Sequence, residues 1–168
     1  MTKAEVTQIF AVLSMAYPSA ELFKAPSKEA LEKKLAPTIA LWATCLRDVD
    51  FWTGQKATVK MCQTCKYPPS IAEMREAADA VRLETAGEIE AAYRTARNIC
   101  LLYGRERGYS LMPDRARKVI DAMGGMDAFA PPEGNCFAML EFQRTYDTML
   151  RSNPTGLPGE AGRVKALG

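Results

Sequence analysis

Two adjacent prolines, Pro68 and Pro69, followed at once by Ser70-Ile71-Ala72-Glu73, impose the strongest constraint on this chain. Neither proline has an amide to donate, and the residue ahead of a proline is pushed out of the α region. A helix running through Cys62 and Cys65 must therefore end by about Tyr67. Ser70 and Glu73 then make an S-x-x-E capping box, which satisfies orphan amides at the start of a new helix. The backbone is built to turn sharply here, and Tyr67 and Ile71 are expected to pin the corner.

Downstream of the corner, Ile71, Met74, Ala78, Val81, Thr85, Ile89, Ala92, Ala96, Ile99 and Tyr103 recur in steps of three and four. That spacing predicts the longest helix of the chain. Unbroken, it would extend about 50 Å at ~1.5 Å per residue. Gly87 is its weak point, costing roughly 1 kcal/mol relative to alanine in a helix interior, and is the expected hinge.

Upstream, the pattern is helical as well. Thr2 and Glu5 make a first capping box, with Val6, Ile9, Phe10, Leu13 and Tyr17 on one face until Pro18. Ser27 caps a helix through Leu31, Leu35, Ile39, Trp42, Cys45 and Leu46, which Pro37 is expected to kink or split. Asp48 and Asp50 supply the next cap. Phe51, Trp52, Val59 and Cys62 are then expected to face one core, with Gly54 weakening the first turn.

After Gly104-Arg105-Glu106-Arg107-Gly108 the pattern lapses into an expected loop ending at Pro113. Asp114 is expected to cap a helix through Met123, ended by Gly124-Gly125. After the Pro131-Pro132-Glu133-Gly134 loop, Asn135 is the expected cap of a last helix through Leu150. That helix is lined by Phe137, Leu140, Gln143, Tyr146 and Leu150, with Met139, Phe142 and Met149 close by. From Asn153 onward, Pro154, Gly156, Pro158, Gly159 and Gly162 predict a flexible tail.

The expected fold is therefore all-α. Residues 1–86 form a small N-terminal helical bundle that includes the start of the long helix, and 87–112 the continuation of that helix with a basic linker. Residues 113–152 form a small C-terminal helical unit, and 153–168 the tail.

Several chemistries are poorly served by this sequence. It has no histidine, which removes the usual general base and the usual metal-binding imidazole. No G-x-x-x-x-G-K-[ST] occurs, so nucleotide binding of the P-loop kind is not expected. The carboxylate pairs Glu73/Glu76 and Glu88/Glu90 read as solvated helix faces. No catalytic residue and no cofactor is therefore expected. Five scattered cysteines do not make a secreted disulfide framework. Cys62-x-x-Cys65 is the one metal or redox candidate, and a structural zinc site would require two further ligands. Without a long apolar segment, the expected location is the cytoplasm.

Charge is distributed unevenly. Residues 94–118 hold seven basic side chains (Arg94, Arg97, Arg105, Arg107, Arg115, Arg117, Lys118) against two acidic ones, a local balance of +5, whereas residues 119–150 have a balance of −4. The basic segment is a candidate contact for nucleic acid or an acidic partner. The apolar face of the last helix has two readings, a core or a groove-binding surface rich in methionine.

The succession Val6-x-x-Ile9, Ala16-Tyr17-Pro18, Trp42, Leu46-x-Asp48, Val59 and Lys66-Tyr67-Pro68-Pro69-Ser70-Ile71-Ala72-Glu73-Met74-Arg75 resembles the small helical domain of phage replicative helicase loaders. The likeness covers about the first 80 residues. Ala122-Met123-Gly124-Gly125-Met126-Asp127-Ala128-Phe129 and Phe142-Gln143-Arg144-Thr145-Tyr146 are similar to a turn and final helix of phage replication proteins, with Met126 in the place of a tryptophan.

The resemblance implies a non-enzymatic loader in the bacterial host cell that binds a DnaB-type hexameric helicase. Such a protein restrains the helicase and delivers it to origin DNA held by an initiator, with several copies on each ring. By position it implies helicase contact through Arg163, Val164, Lys165 and Leu167 of the tail. The last helix, with Phe137, Leu140 and Tyr146, is the other expected contact. The alternatives are a small DNA-binding replication or regulatory protein using residues 94–118, and a pure inhibitor of the host helicase.

Overall fold

The computed structural model describes residues 1–131 and 138–152. Among them are eight α-helices, one 3₁₀ turn and no strand, so the chain is all-α. The helices are α1 (Lys3–Ala16), α2 (Lys28–Cys45), α3 (Phe51–Thr64), α4 (Ile71–Tyr103), α5 (Arg105–Leu111), α6 (Asp114–Ala122), α7 (Met126–Phe129) and α8 (Ala138–Ser152), with the 3₁₀ turn at Glu21–Phe23. The chain divides into two compact units, Met1–Thr85 and Ala86–Gly168, and α4 contributes residues to both.

The first unit is built on local starts. Thr2 and Glu5 close a reciprocal capping box on α1, Ser27 caps α2, and Asp50 caps α3 through the Thr53 amide. Val6, Ile9, Phe10 and Leu13 of α1 meet Leu35 and Trp42 of α2, Ala57 of α3, and Met74, Ala78 and Val81 of α4 in one buried cluster. Phe10 stands edge-on to Trp42, with ring centroids 5.0 Å apart, a favoured aromatic geometry. The Met1 ammonium donates to the carbonyls of Leu46 and Val49 at 2.8 and 2.6 Å, at the end of α2 and in the turn that follows.

Pro37 neither splits α2 nor ends it, since the helix runs from Lys28 to Cys45 with Pro37 inside. Gly54 does not weaken the start of α3 and is buried, with a Cβ there falling 2.7 Å from the Met1 Sδ. Val59 lies away from the core, 47% exposed. At the corner, Ser70 and Glu73 cap α4 as their spacing predicts: the Ser70 amide donates to Glu73 at 2.7 Å and the Glu73 amide donates back to the Ser70 hydroxyl at 3.3 Å. Tyr67 does not pin this corner, being 71% exposed. Pro69 is buried instead, and Ile71 packs against the core.

The start of α4 is also tied across the unit. Arg75 makes a two-pronged pair with Asp48, at 3.0 and 2.9 Å, and Arg82 donates to the Asp48 carbonyl at 2.7 Å. Asp48, expected to help cap α3, serves this pairing.

In the second unit, Ile89 and Ala96 of α4, Val119 and Ile120 of α6, Phe129 of α7, and Phe142 and Tyr146 of α8 share a second core. Gly87 does not break the helix, since α4 is one helix from Ile71 to Tyr103. Tyr103 leaves the apolar stripe and is exposed. The loop expected before Pro113 is instead helix α5. Gly104 takes φ +77° and serves as its N-cap, and Gly108 packs so closely on α4 that a Cβ would lie 3.2 Å from the Cys100 Cα. Pro113, not Asp114, is the N-cap of α6. Gly124 and Gly125 take φ +106° and +86° after it, the left-handed ending that glycine permits. Asn135 and the expected tail from Asn153 onward lie outside the described residues.

Candidate interaction surface

Burial separates the expected contact residues of α8 from one another. Tyr146 is 3% exposed and belongs to the core: its hydroxyl donates to Glu88 at 3.0 Å, and burial pushes the phenol above its ordinary pKa. Leu140 is 51% exposed. Phe137, Arg163, Val164, Lys165 and Leu167 lie outside the described residues. Helical spacing alone cannot separate Leu140 from Tyr146. What separates them is the aromatic cluster beneath α8, where Phe142 packs against Tyr93, Phe129 and Tyr146 with centroids 5.5, 5.7 and 5.8 Å apart.

The basic segment proves to be largely neutralised within the unit. Arg94 pairs with Glu90 at 2.6 Å and Arg115 with Glu88 at 2.8 Å, while Arg105 is held by Asp127 and Arg117 by Asp114. Arg107 lies over the Tyr103 ring. Arg97 and Lys118 make no ion pair among the described residues. A run with a local balance of +5 in the sequence thus presents few uncompensated cations. Glu90 and Asp114 are local partners, four and three residues from their arginines, whereas Glu88 and Asp127 lie 27 and 22 positions from Arg115 and Arg105 and are brought to them only by the fold.

One groove in this unit joins charge to apolar surface. Tyr93, Arg97, Asn98 and Leu101 of α4 line it, Met139 of α8 faces them, and the Glu90–Arg94 pair stands at its side. Its volume is about 330 Å³. Leu101 is 73% exposed. Sequence periodicity misses Leu101, which lies off the stripe of Ile89, Ala92, Ala96 and Ile99, whereas Tyr93, four residues after Ile89, packs against the core. An exposed leucine gives no signal in a single sequence.

The cysteine pair has a different setting. The Tyr17 hydroxyl, buried between α1 and the end of α3, donates to the Met61 and Cys65 carbonyls at 3.2 and 3.1 Å. Burial raises the Cys62 thiol above its ordinary pKa, which disfavours the thiolate needed for attack or metal ligation. Cys45, Cys62, Cys65 and Cys100 are all unpaired, and no group of three or more metal-ligating side chains occurs among the described residues. Nor does any described helix have the length and apolarity to cross a membrane.

Residues 1–75 match a family model that describes the N-terminal domain of a phage helicase loader and inhibitor. The resemblance of the N-terminal segment to phage helicase loaders is thereby supported, and the matched span includes the proline corner and its capping box. No curated protein and no solved structure matches the chain.

Proposed function

We propose that this chain, carrying the N-terminal domain of the loader and inhibitor family over residues 1–75, is a replicative helicase loader of the phage type. It binds a DnaB-family hexamer, restrains it, and delivers it to origin DNA. The family match is the observation that carries this reading. A loader of this kind works by differential affinity, binding one state of the ring better than another, since equal affinity for both would shift nothing. Reversing a 1:99 preference to 99:1 requires about 10⁴-fold tighter binding of the favoured state.

Neutralisation of most of the basic segment supports a protein partner over DNA. Nucleic-acid affinity depends on cations free to displace counterions from phosphates, and four of the seven here are already held by carboxylates of the same unit. The helicase contacts belong to the second unit, through the α8 surface around Leu140 or through the segment beyond Ser152.

The test is co-sedimentation of the full chain with a DnaB-type hexamer in the presence of ATP, repeated with the chain ended at Ser152. Retention of both forms assigns the contact to the helical part. Loss on truncation assigns it to residues 153–168. Failure of the full chain to co-sediment removes the loader reading.

A further inference from the structure

We propose that the groove between α4 and α8 receives an amphipathic helix of the partner protein, with its apolar stripe on Leu101 and Met139 and a carboxylate on Arg97. The inference rests on the loader reading and specifies the chemistry of the helicase segment that is gripped.

Three observations lead to this occupant. Leu101 is 73% exposed beside the groove, and Leu140, next to Met139 on α8, is 51% exposed. Exposed apolar side chains beside a concave surface are the usual marks of an interaction site. Methionine suits such a wall, since its unbranched thioether adapts to the shape of an incoming side chain.

The second observation is electrostatic. Arg94 directs its charge to Glu90, whereas Arg97, one turn further along the same wall, has no ion pair among the described residues. Among the described residues, the Arg97 guanidinium therefore stands without an ion pair beside apolar surface. The complementary ligand is an apolar stripe bearing an aspartate or glutamate, which a guanidinium fork holds through two hydrogen bonds.

The third observation separates protein from nucleic acid. Single-strand binders stack bases on aromatic faces. Tyr93, the aromatic residue of the groove, is committed to the core by edge-on contacts with Phe129 and Phe142 at 5.7 and 5.5 Å. Apolar walls and an Arg97 with no ion pair among the described residues suit a helix with a single acidic anchor better than a run of phosphates.

The experiment measures binding of the full chain to an immobilised DnaB-type hexamer by biolayer interferometry with ATP. Arg97→Glu and Leu101→Asp are compared with Leu83→Asp, an exposed leucine of the other unit, and circular dichroism verifies that each variant is folded. Both groove variants are expected to weaken binding about tenfold or more, in the range of interface anchors, with Leu83→Asp unchanged. Unaltered binding by both, while the parent chain binds, overturns the groove assignment and leaves the loader reading standing. No binding by the parent chain sinks both. Loss of retention on a single-stranded oligonucleotide by Arg97→Glu, with helicase binding intact, overturns the inference in favour of a phosphate site. A concentration-dependent dimer that Leu101→Asp abolishes overturns it in favour of a second copy of this chain.

Discussion

Tyr146 donates its hydroxyl to Glu88, 58 positions earlier in the chain, across a 3.0 Å hydrogen bond. Arg115 reaches the same carboxylate oxygen at 2.8 Å and lies over the Tyr146 ring. Three helices, α4, α6 and α8, are thus joined at one oxygen. Removing the hydroxyl in Tyr146→Phe leaves Arg115 on Glu88, so the expected cost is that of one hydrogen bond, about 1 kcal/mol. Tyr146→Ala removes the ring as well and is expected to cost roughly 3–5 kcal/mol. Urea denaturation measures both, and equal losses would refute this division between ring and hydroxyl.

Gly87 and Gly108 lie on helices of the same unit and should respond to alanine with opposite signs. Nothing lies within 4 Å of a Cβ at Gly87, so Gly87→Ala is expected to stabilise by about 1 kcal/mol through helix propensity alone. At Gly108 the new methyl meets the Cys100 Cα at 3.2 Å and the Ile99 carbonyl oxygen at 3.3 Å. These backbone atoms yield poorly, and the overpacking cost of about 1–3 kcal/mol exceeds the propensity gain, making Gly108→Ala destabilising. Thermal melts of the two variants decide the matter, and a stabilised Gly108→Ala would contradict it.

Ser70 and Glu73 give the corner a pH signature. Hydrogen bonds from the Ser70 amide and hydroxyl hold the Glu73 carboxyl below the usual glutamate pKa. A lowered folded-state pKa contributes stability that is present above the ordinary carboxylate pKa of about 4, and that is lost as pH falls through the lowered value. Arg75 lowers Asp48 in the same direction, so both carboxylates weaken the first unit on acidification. Stability measured from pH 7 down to pH 2 is expected to fall less steeply in Glu73→Gln than in the parent. Ser70→Ala should cost about 1 kcal/mol at neutral pH.

Phe142 and Leu140, two positions apart on α8, separate core from surface. Phe142 is fully buried among three aromatic rings, and Phe142→Ala is expected to cost roughly 3–5 kcal/mol and to reduce near-ultraviolet circular dichroism. Leu140→Ala should stay within about 0.5 kcal/mol, as exposed substitutions usually do. A large loss at Leu140 would show that it packs against something in the free protein.

The sequence by itself determined what is decided within a turn or two of backbone. Thr2/Glu5 and Ser70/Glu73 cap their helices because both partners lie three residues apart, and Pro68-Pro69 bars any helix from running past Tyr67, although α3 itself ends earlier, at Thr64. The stripe from Ile71 to Ile99 is legible because a helix repeats at a period set by its own geometry. Tertiary structure decided the rest. Helix α5 escapes local reading because Gly108 owes its place to close packing on Cys100. The neutralisation of Arg115 and Arg105 escapes it because their partners Glu88 and Asp127 lie 27 and 22 positions away. The exposure of Leu101 and the burial of Tyr146 depend on which neighbours the fold brings over each helix face. Caps and periods are properties of adjacent residues, whereas a surface is defined by the distant residues that do not cover it.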